Sequence, residues 1–173
     1  MPRNSSLFLF LAALLVAAPL ARSAPSPVPP TDEGRLIGEI HRADELEMQL
    51  GRMAARRSGD ARVRRYGDRL ERDQDEADSR LMRLALSRRI KVPEQGAAPA
   101  EAAAIETLRG LSGPEFDRQL TAALAAEQAR TLNLLRAEME LTQDRETRRL
   151  LGILRPIFEE HRDLTRSLQR ARA

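Results

Sequence analysis

The most constraining feature of this sequence is a set of four long segments in which apolar residues recur every three or four positions. This spacing places the apolar side chains on one face of an α-helix. No segment alternates apolar and polar residues with the period of two that a half-buried strand has. The pattern therefore predicts an all-α protein with four long amphipathic helices.

Each of the four apolar stripes carries one polar residue near its middle, and the stripe of the third segment is the least regular. These four residues are Glu47, Gln74, Gln128 and His161. A polar group on a buried helix face costs about 1–3 kcal/mol if it is left without a hydrogen bond. We therefore expect these side chains to point inward and to satisfy one another or nearby groups.

Positions along the chain predict that the two polar residues of each helical hairpin share one height. The break at Gly59 lies nearly midway between Glu47 and Gln74. In the second hairpin, the turn at Gln143 likewise lies nearly midway between the two polar residues, and in neither hairpin does the mismatch reach one helical turn. Because an α-helix rises about 1.5 Å per residue, the members of each pair differ in height by only about 4.5 Å. Whether the two layers coincide depends on the crossover between the hairpins, which the sequence does not fix.

Turn and capping residues divide the chain into four long helices and one short helix. The predicted helices are 32–57, 61–91, 101–109, 114–141 and 145–170. Asp60 is predicted to cap the second helix, and Ser112 with Glu115 to form a capping box at the start of the third long helix. Pro156 lies inside the last helix and should kink it or remove a backbone hydrogen bond.

The order of these helices predicts a ferritin-like four-helix bundle. Two tight hairpins are joined by a long crossover that contains the short helix, which is the connectivity of ferritin-like bundles. A coiled-coil dimer of long helices is the alternative. The short turns at Gly59 and Gln143 favour folding back within one chain.

The first 23 residues have the pattern of a cleavable signal peptide, with a basic start, an apolar run of about a dozen residues and a small-x-small exit. Ala21 and Ser23 form the small pair, so cleavage is expected after Ser23, and a proline-rich leader (24–31) precedes the bundle (32–172). A retained anchor is the alternative, but the run is shorter than the roughly 20 residues that a spanning helix needs. The mature protein is thus expected to be periplasmic or secreted, with no transmembrane span.

Composition excludes several classes of function. The chain has no cysteine, which excludes disulfides, a lipid-modified cysteine and thiolate metal sites. Loss of Arg3 and Arg22 with the signal lowers the basic residues from 29 to 27 against 26 acidic ones, a net charge of +1. Because aromatic residues are also few, nucleic-acid binding is not expected.

One stretch at the first helix–helix corner is densely basic. This arginine corner comprises Arg52, Arg56, Arg57, Arg62, Arg64 and Arg65. Charge runs of this kind are usually solvated faces, so a surface corner is the favoured interpretation. A site for an anionic membrane or another polyanion is the alternative.

A polar layer inside a bundle could hold a metal ion, but the metal ligands are few. A di-iron bundle site takes about four carboxylates and two histidines, with Glu-x-x-His on two helices. His41 and His161 are the only histidines, and neither has a glutamate three residues before it. A mononuclear transition-metal site could use Glu47 and His161, with Asp44 on the face of Glu47. The favoured interpretation is that no cofactor binds, that His161 donates to Glu47 or a glutamine inside the core, and that His41 is a boundary residue.

No catalytic constellation is visible, and the protein is predicted to be non-enzymatic. The sequence has no Gly-rich phosphate loop, no Ser–His–Asp arrangement and no cofactor motif. Asp73 and Glu127 adjoin the apolar stripes and are expected to pair with arginines at the helix boundary.

Several short motifs, in a fixed order, make the chain resemble a bacterial family, DUF4142. They are Glu47 with Leu50-Gly51-Arg52-Met53-Ala54, Leu70-Glu71-Arg72-Asp73-Gln74 with Ala77, Leu111-Ser112-Gly113 with Phe116-Asp117, and Pro156 followed by His161. The resemblance covers roughly 36–168 and implies an exported ferritin-like bundle with no established reaction. Where the family commonly has Asp-His on the second helix and a histidine on the third, this chain has Gln74 and Gln128, and glutamine is a poor ligand for transition metals.

Two hypotheses of different classes follow. The first is a non-enzymatic interaction module, envelope- or stress-related, whose polar layer fixes the register of the helices. Such a module would bind a protein partner. The second is a degenerate ferritin-like metal-binding or redox protein. The sequence does not specify a partner or an oligomeric state.

Overall fold

The computed structural model describes residues 32–171. The predicted signal peptide, its cleavage after Ser23 and the proline-rich leader lie outside the described residues. Residues 32–171 contain no strand and five helices. These are α1 (Asp32–Arg57), α2 (Ala61–Ser87), α3 (Pro99–Gly110), α4 (Gly113–Leu141) and α5 (Arg145–Arg170). The all-α prediction is confirmed.

The four long helices form a bundle of two hairpins. α1 packs against α2 and α4 packs against α5, while α1 also contacts α4 and α2 also contacts α5, so the four helices lie at the corners of a square. Arg88, just after α2, donates to Glu33 at 2.6 Å and to Asp144 at 2.8 Å, so the starts of α1 and α5 lie at one end. α3 packs on α4 within the single long crossover. The predicted four-helix bundle is confirmed, and its ferritin-like affiliation stays a prediction.

Side-chain oxygens cap the starts of α2 and α5, and one predicted cap is wrong. Asp60 Oδ1 accepts from the backbone N–H of Arg62 at 2.7 Å, as predicted. Asp144 accepts from the N–H of Thr147 at 2.7 Å. In the described part of the chain the Ser112 side chain makes no capping hydrogen bond. Its φ of −149° and ψ of 167° place it in extended backbone, and the positive φ of the next residue, Gly113, makes the turn into the helix instead.

The end of α2 comes before the predicted Lys91, at Ser87. Arg89 has a φ of 55°, and this left-handed conformation ends the helix. Around it, Ile90 N–H donates to Ala85 O at 2.8 Å and Arg89 N–H donates to Leu86 O at 3.1 Å. This pair of bonds is a Schellman motif, which usually has glycine at the left-handed position. Because arginine occupies it here, no glycine marks this helix end in the sequence.

The core consists of two apolar clusters with the polar layer between them. One cluster includes Ile40, Ala77, Leu132 and Phe158. The other includes Leu50, Leu70, Leu124 and, at its edge, Leu164. On every long helix, one or more buried polar residues therefore separate the two clusters.

Two features of the helices follow from single residues. Pro156 lies in α5 on the exposed face and cannot donate to the carbonyl of Gly152, which is also exposed and open to water. Gly51 and Gly67 bring α1 and α2 together, because a Cβ atom on Gly67 would lie 2.5 Å from the carbonyl oxygen of Gly51. Among the described helices, none combines the length and apolarity that a membrane crossing demands.

Candidate functional site: a buried polar layer

The four predicted polar residues lie in one layer, and each is fully buried. Glu47 comes from α1, Gln74 from α2, Gln128 from α4 and His161 from α5. The crossover thus sets the two hairpins at the same height. Each long helix contributes one of these four side chains.

Glu47 is the centre of this layer. Its Oε2 atom accepts from Gln74 Nε2 at 2.8 Å and from Gln128 Nε2 at 3.5 Å. His161 Nδ1 lies 3.9 Å from the same oxygen. Nitrogen atoms from three helices therefore converge on one carboxyl oxygen of the fourth.

Burial controls the protonation of Glu47. Removal from water raises the pKa of this carboxyl to about 8, and the amide donors of Gln74 and Gln128 offset only part of that rise. The nearby negative charge of Glu127 raises the pKa further. At pH 7 the protonated, neutral form of Glu47 is therefore favoured inside the bundle.

Asp44, one turn before Glu47 on α1, is a second buried acid. It is fully buried, and neither of its carboxyl oxygens has a hydrogen-bond partner among the described residues. Burial raises its pKa well above the ordinary value, and repulsion from Glu47 and Asp78 adds to the rise. A neutral carboxylic acid is the form that such a position tolerates.

His161 bonds to a different partner from the one that the sequence predicted. Its Nε2 atom lies 3.0 Å from Asp73 Oδ2, whereas donation to Glu47 or to a glutamine was expected. Asp73 also accepts from Arg69 Nε at 3.1 Å, as an ion pair within α2. Burial lowers the pKa of His161, and Asp73 opposes this only in part. The neutral ring therefore donates from Nε2 and turns the lone pair of Nδ1 towards Glu47.

Tyr66 belongs to the layer and was missed in the sequence. Its hydroxyl accepts from Gln128 Nε2 at 3.0 Å, lies 2.7 Å from Thr165 Oγ1 and reaches the carbonyl oxygen of His161 at 3.2 Å. Burial raises the pKa of this phenol. The available signal was that the only tyrosine of the chain lies one turn before Leu70 on the stripe of α2. Its hydroxyl links α2, α4 and α5.

The other acids and the second histidine lie at the edge of the layer. Glu127 is buried and pairs with Arg130, and Asp73 pairs with Arg69, so both acids bond to arginines as expected. His41 is half-buried, and its Nδ1 atom lies 2.6 Å from Asp78 Oδ1.

Comparison with family models gives the affiliation of the chain. The model of a domain of unknown function, DUF4142, matches residues 17–168. The chain belongs to the DUF4142 family. No curated protein and no solved structure matches it.

The layer of this DUF4142 protein does not fit the metal centre of ferritin-like bundles. Such a centre takes about four carboxylates and two histidines. Within residues 32–171, no group of three or more histidine, aspartate or glutamate side chains is placed to hold a metal ion. Two of the four layer positions are amides, and their nitrogen atoms donate to Glu47 Oε2 instead of leaving that oxygen open.

Most of the arginine corner serves the DUF4142 bundle itself, and Arg52 of α1 donates to Glu71 of α2 at 3.4 Å. Arg57 donates to the carbonyl oxygens of Leu108, Arg109 and Leu111 at 2.7–3.0 Å, and its guanidinium lies 4.8 Å from the ring centre of Phe116. A similar role belongs to two further arginines. Arg64 donates to carbonyls of the α1–α2 turn, and Arg62 pairs with the capping residue Asp60. These bonds support the interpretation of the corner as structural.

Proposed function

We propose that this DUF4142 protein is an exported, non-enzymatic bundle that acts as an interaction module of the cell envelope, with a polar layer in place of a metal site. The observation that carries this proposal is the bonding at Glu47, where amides from two other helices donate to one carboxyl oxygen. A neutral acid whose Oε2 atom accepts from two amides carries no charge that a cation would have to balance.

The layer would act by fixing the register of the helices. A shift of one helical turn, about 5.4 Å, would move Gln74 or Gln128 away from Glu47 and bring apolar side chains to it. A buried carboxyl without its donors would then cost about 1–3 kcal/mol. Polar core positions that pair in only one register can specify helix pairing in this way.

The burial of the layer argues against catalysis there. Glu47 and His161, whose pKa values are displaced, are fully buried. A substrate could reach them only if the helices separated. Contact with other molecules is therefore assigned to the outer surface of the bundle.

The proposal that the protein is exported rests on its amino-terminal sequence. The basic start, the apolar run and the Ala21-x-Ser23 exit have the order of a signal peptide. A periplasmic or secreted location follows from this pattern. The lack of cysteine is compatible with an oxidising compartment.

Elemental analysis of the protein purified from its native compartment tests the proposal. We expect an intact mass that corresponds to a chain beginning at Ala24. We also expect no stoichiometric transition metal, because two amides donate to Glu47 Oε2 and the acid is neutral. Glu47→Ala is compared with Glu39→Ala, which removes an exposed acid from the same helix. A stoichiometric metal that Glu47→Ala removes and Glu39→Ala retains would overturn the proposal.

A degenerate metal-binding or redox protein is the second candidate, and one observation favours it. Glu47 Oε1 and His161 Nδ1 are buried and have no hydrogen-bond partner among residues 32–171. These are atoms that can ligate a transition metal. The same elemental measurement decides between the two candidates.

A further inference from the structure

A second feature of the molecule, separate from the polar layer, is a hollow of about 420 Å³ between α1, α3 and α4. Its walls are mostly apolar. They include Leu46, Leu50, Ala104, Ile105, Ala123 and Ala126. The charged side chains that line it are Arg42, Glu101 and Arg130.

Contacts along α3 hold this short helix over the groove between α1 and α4. Glu101 is nearly buried and pairs with Arg42 of α1. Ile105 and Leu108 are buried in the apolar cluster below. At the far end, Arg57 binds the last carbonyls of the helix. The helix α3, which covers the hollow, is therefore held in place along its length.

Small side chains create the empty space between α3 and α4. Ala100 and Ala104 of α3 face Ala123 and Ala126 of α4 across the hollow. None of these four alanines is fully buried, so the hollow opens to the surface. The volume lies near the lower end of the roughly 300–1,000 Å³ that small-molecule pockets have.

The charges at the hollow favour an anionic group at one end of a ligand. Arg42 and Arg130 each bind a glutamate through one terminal nitrogen. Because a guanidinium carries five N–H donors, both retain donors for another partner. A carboxylate matches the planar fork of a guanidinium.

We propose that this hollow binds a medium-chain aliphatic carboxylate. Its chain lies against Leu46, Leu50 and Ile105, and its carboxylate bonds to the guanidinium of Arg130. The charge and the apolar walls select a ligand that has both an acidic head and an alkyl tail. This binding activity goes beyond the proposed role of the polar layer and does not depend on it.

Titration of the full mature chain with octanoate tests the proposal by calorimetry and by methyl NMR shifts of Leu46, Leu50 and Ile105. Octanoate is expected to bind at this site, octanol to bind more weakly, and acetate not to bind, because head and tail are both needed. Arg130→Gln should weaken the binding of octanoate roughly tenfold or more, as loss of a charged hydrogen bond does. It should leave the binding of octanol unchanged.

Two matched substitutions on α3 locate the site. Ala104→Leu fills the hollow and should abolish octanoate binding without lowering the thermal midpoint. Ala103→Leu, on the exposed face of the same helix, should bind octanoate like the original chain. If Ala104→Leu does not fold, Ala126→Leu, which fills the hollow from α4, is used in its place. No octanoate binding by the original chain, or full binding by the filled variants, would overturn the proposal.

Discussion

At the scale of single residues, Glu47 decides the character of the interior. Its carboxyl is surrounded by two amide donors and a neutral imidazole. Burial raises its pKa to about 8, so the folded bundle holds a proton that the unfolded chain releases above about pH 4.5. This difference couples protonation to folding.

Replacement of Glu47 by glutamine should flatten the pH dependence of stability. Because the pKa of Glu47 is higher in the folded state, its stabilising contribution is complete below pH 4.5 and is lost as the pH rises towards 8. The unfolding free energy of the original chain should therefore fall by up to about 1.4 kcal/mol per pH unit across this range from this group alone. Urea unfolding of both proteins from pH 4.5 to pH 8.5 measures the difference.

Glu47→Gln keeps the shape and an acceptor for Gln74 and Gln128 but cannot ionise. The two proteins should be similar near pH 4.5, and the variant should be the more stable one at pH 8. Glu39→Gln, an exposed acid on α1, is the control and should follow the original chain. Parallel pH profiles for Glu47→Gln and the original chain would show that Glu47 is not a buried neutral acid.

At the scale of helices, the contact between α1 and α2 depends on two glycines. A Cβ atom on Gly67 would lie 2.5 Å from Gly51 O and 2.6 Å from the Cβ of Ala54. Neither group can move unless the helices separate. By contrast, a Cβ atom on Gly152 of α5 would have no atom of the described residues within 4 Å except those of its chain neighbours and of the adjacent backbone of its own helix.

Alanine substitution at Gly67 and at Gly152 should change stability in opposite directions. Gly67→Ala should lower the unfolding free energy by about 1–3 kcal/mol, because overpacking outweighs the gain in helix propensity. Gly152→Ala should raise it by about 0.5–1 kcal/mol, because only the propensity changes. Thermal unfolding of both variants measures these shifts. Equal stabilisation by the two substitutions would contradict the close helix contact.

Local signals explain which helix boundaries the sequence predicted. Asp60 caps α2 as predicted, because its side chain acts within two residues. The end of α2 was placed too late, because Arg89 takes the left-handed position that glycine usually marks. The start of α2 was therefore predictable from a characteristic residue type, whereas its end was not.

At the scale of the whole molecule, periodicity and counting predicted much of the architecture. Counting along each hairpin placed its two polar residues at one height, because helix rise is constant. The coincidence of the two layers depends on the crossover, which long-range bonds such as Arg57 to Leu108 help to position. The roles of Tyr66 and Asp73 depend on rotations and side-chain directions that a stripe of apolar residues does not specify. For the same reason, the hollow under α3 could not be predicted.

The central claim is that Glu47 is a buried neutral acid, held by amide donors and not by an ion. Carbon-13 NMR of the Glu47 carboxyl tests this claim most directly. The signal is assigned by its absence from the Glu47→Gln spectrum. A neutral Glu47 carboxyl is expected at pH 6, and it should ionise only near pH 8, the pKa that its burial gives it. A Glu47 carboxyl already ionised at pH 6 in the folded protein would contradict the account, because a buried carboxylate would then need a cation.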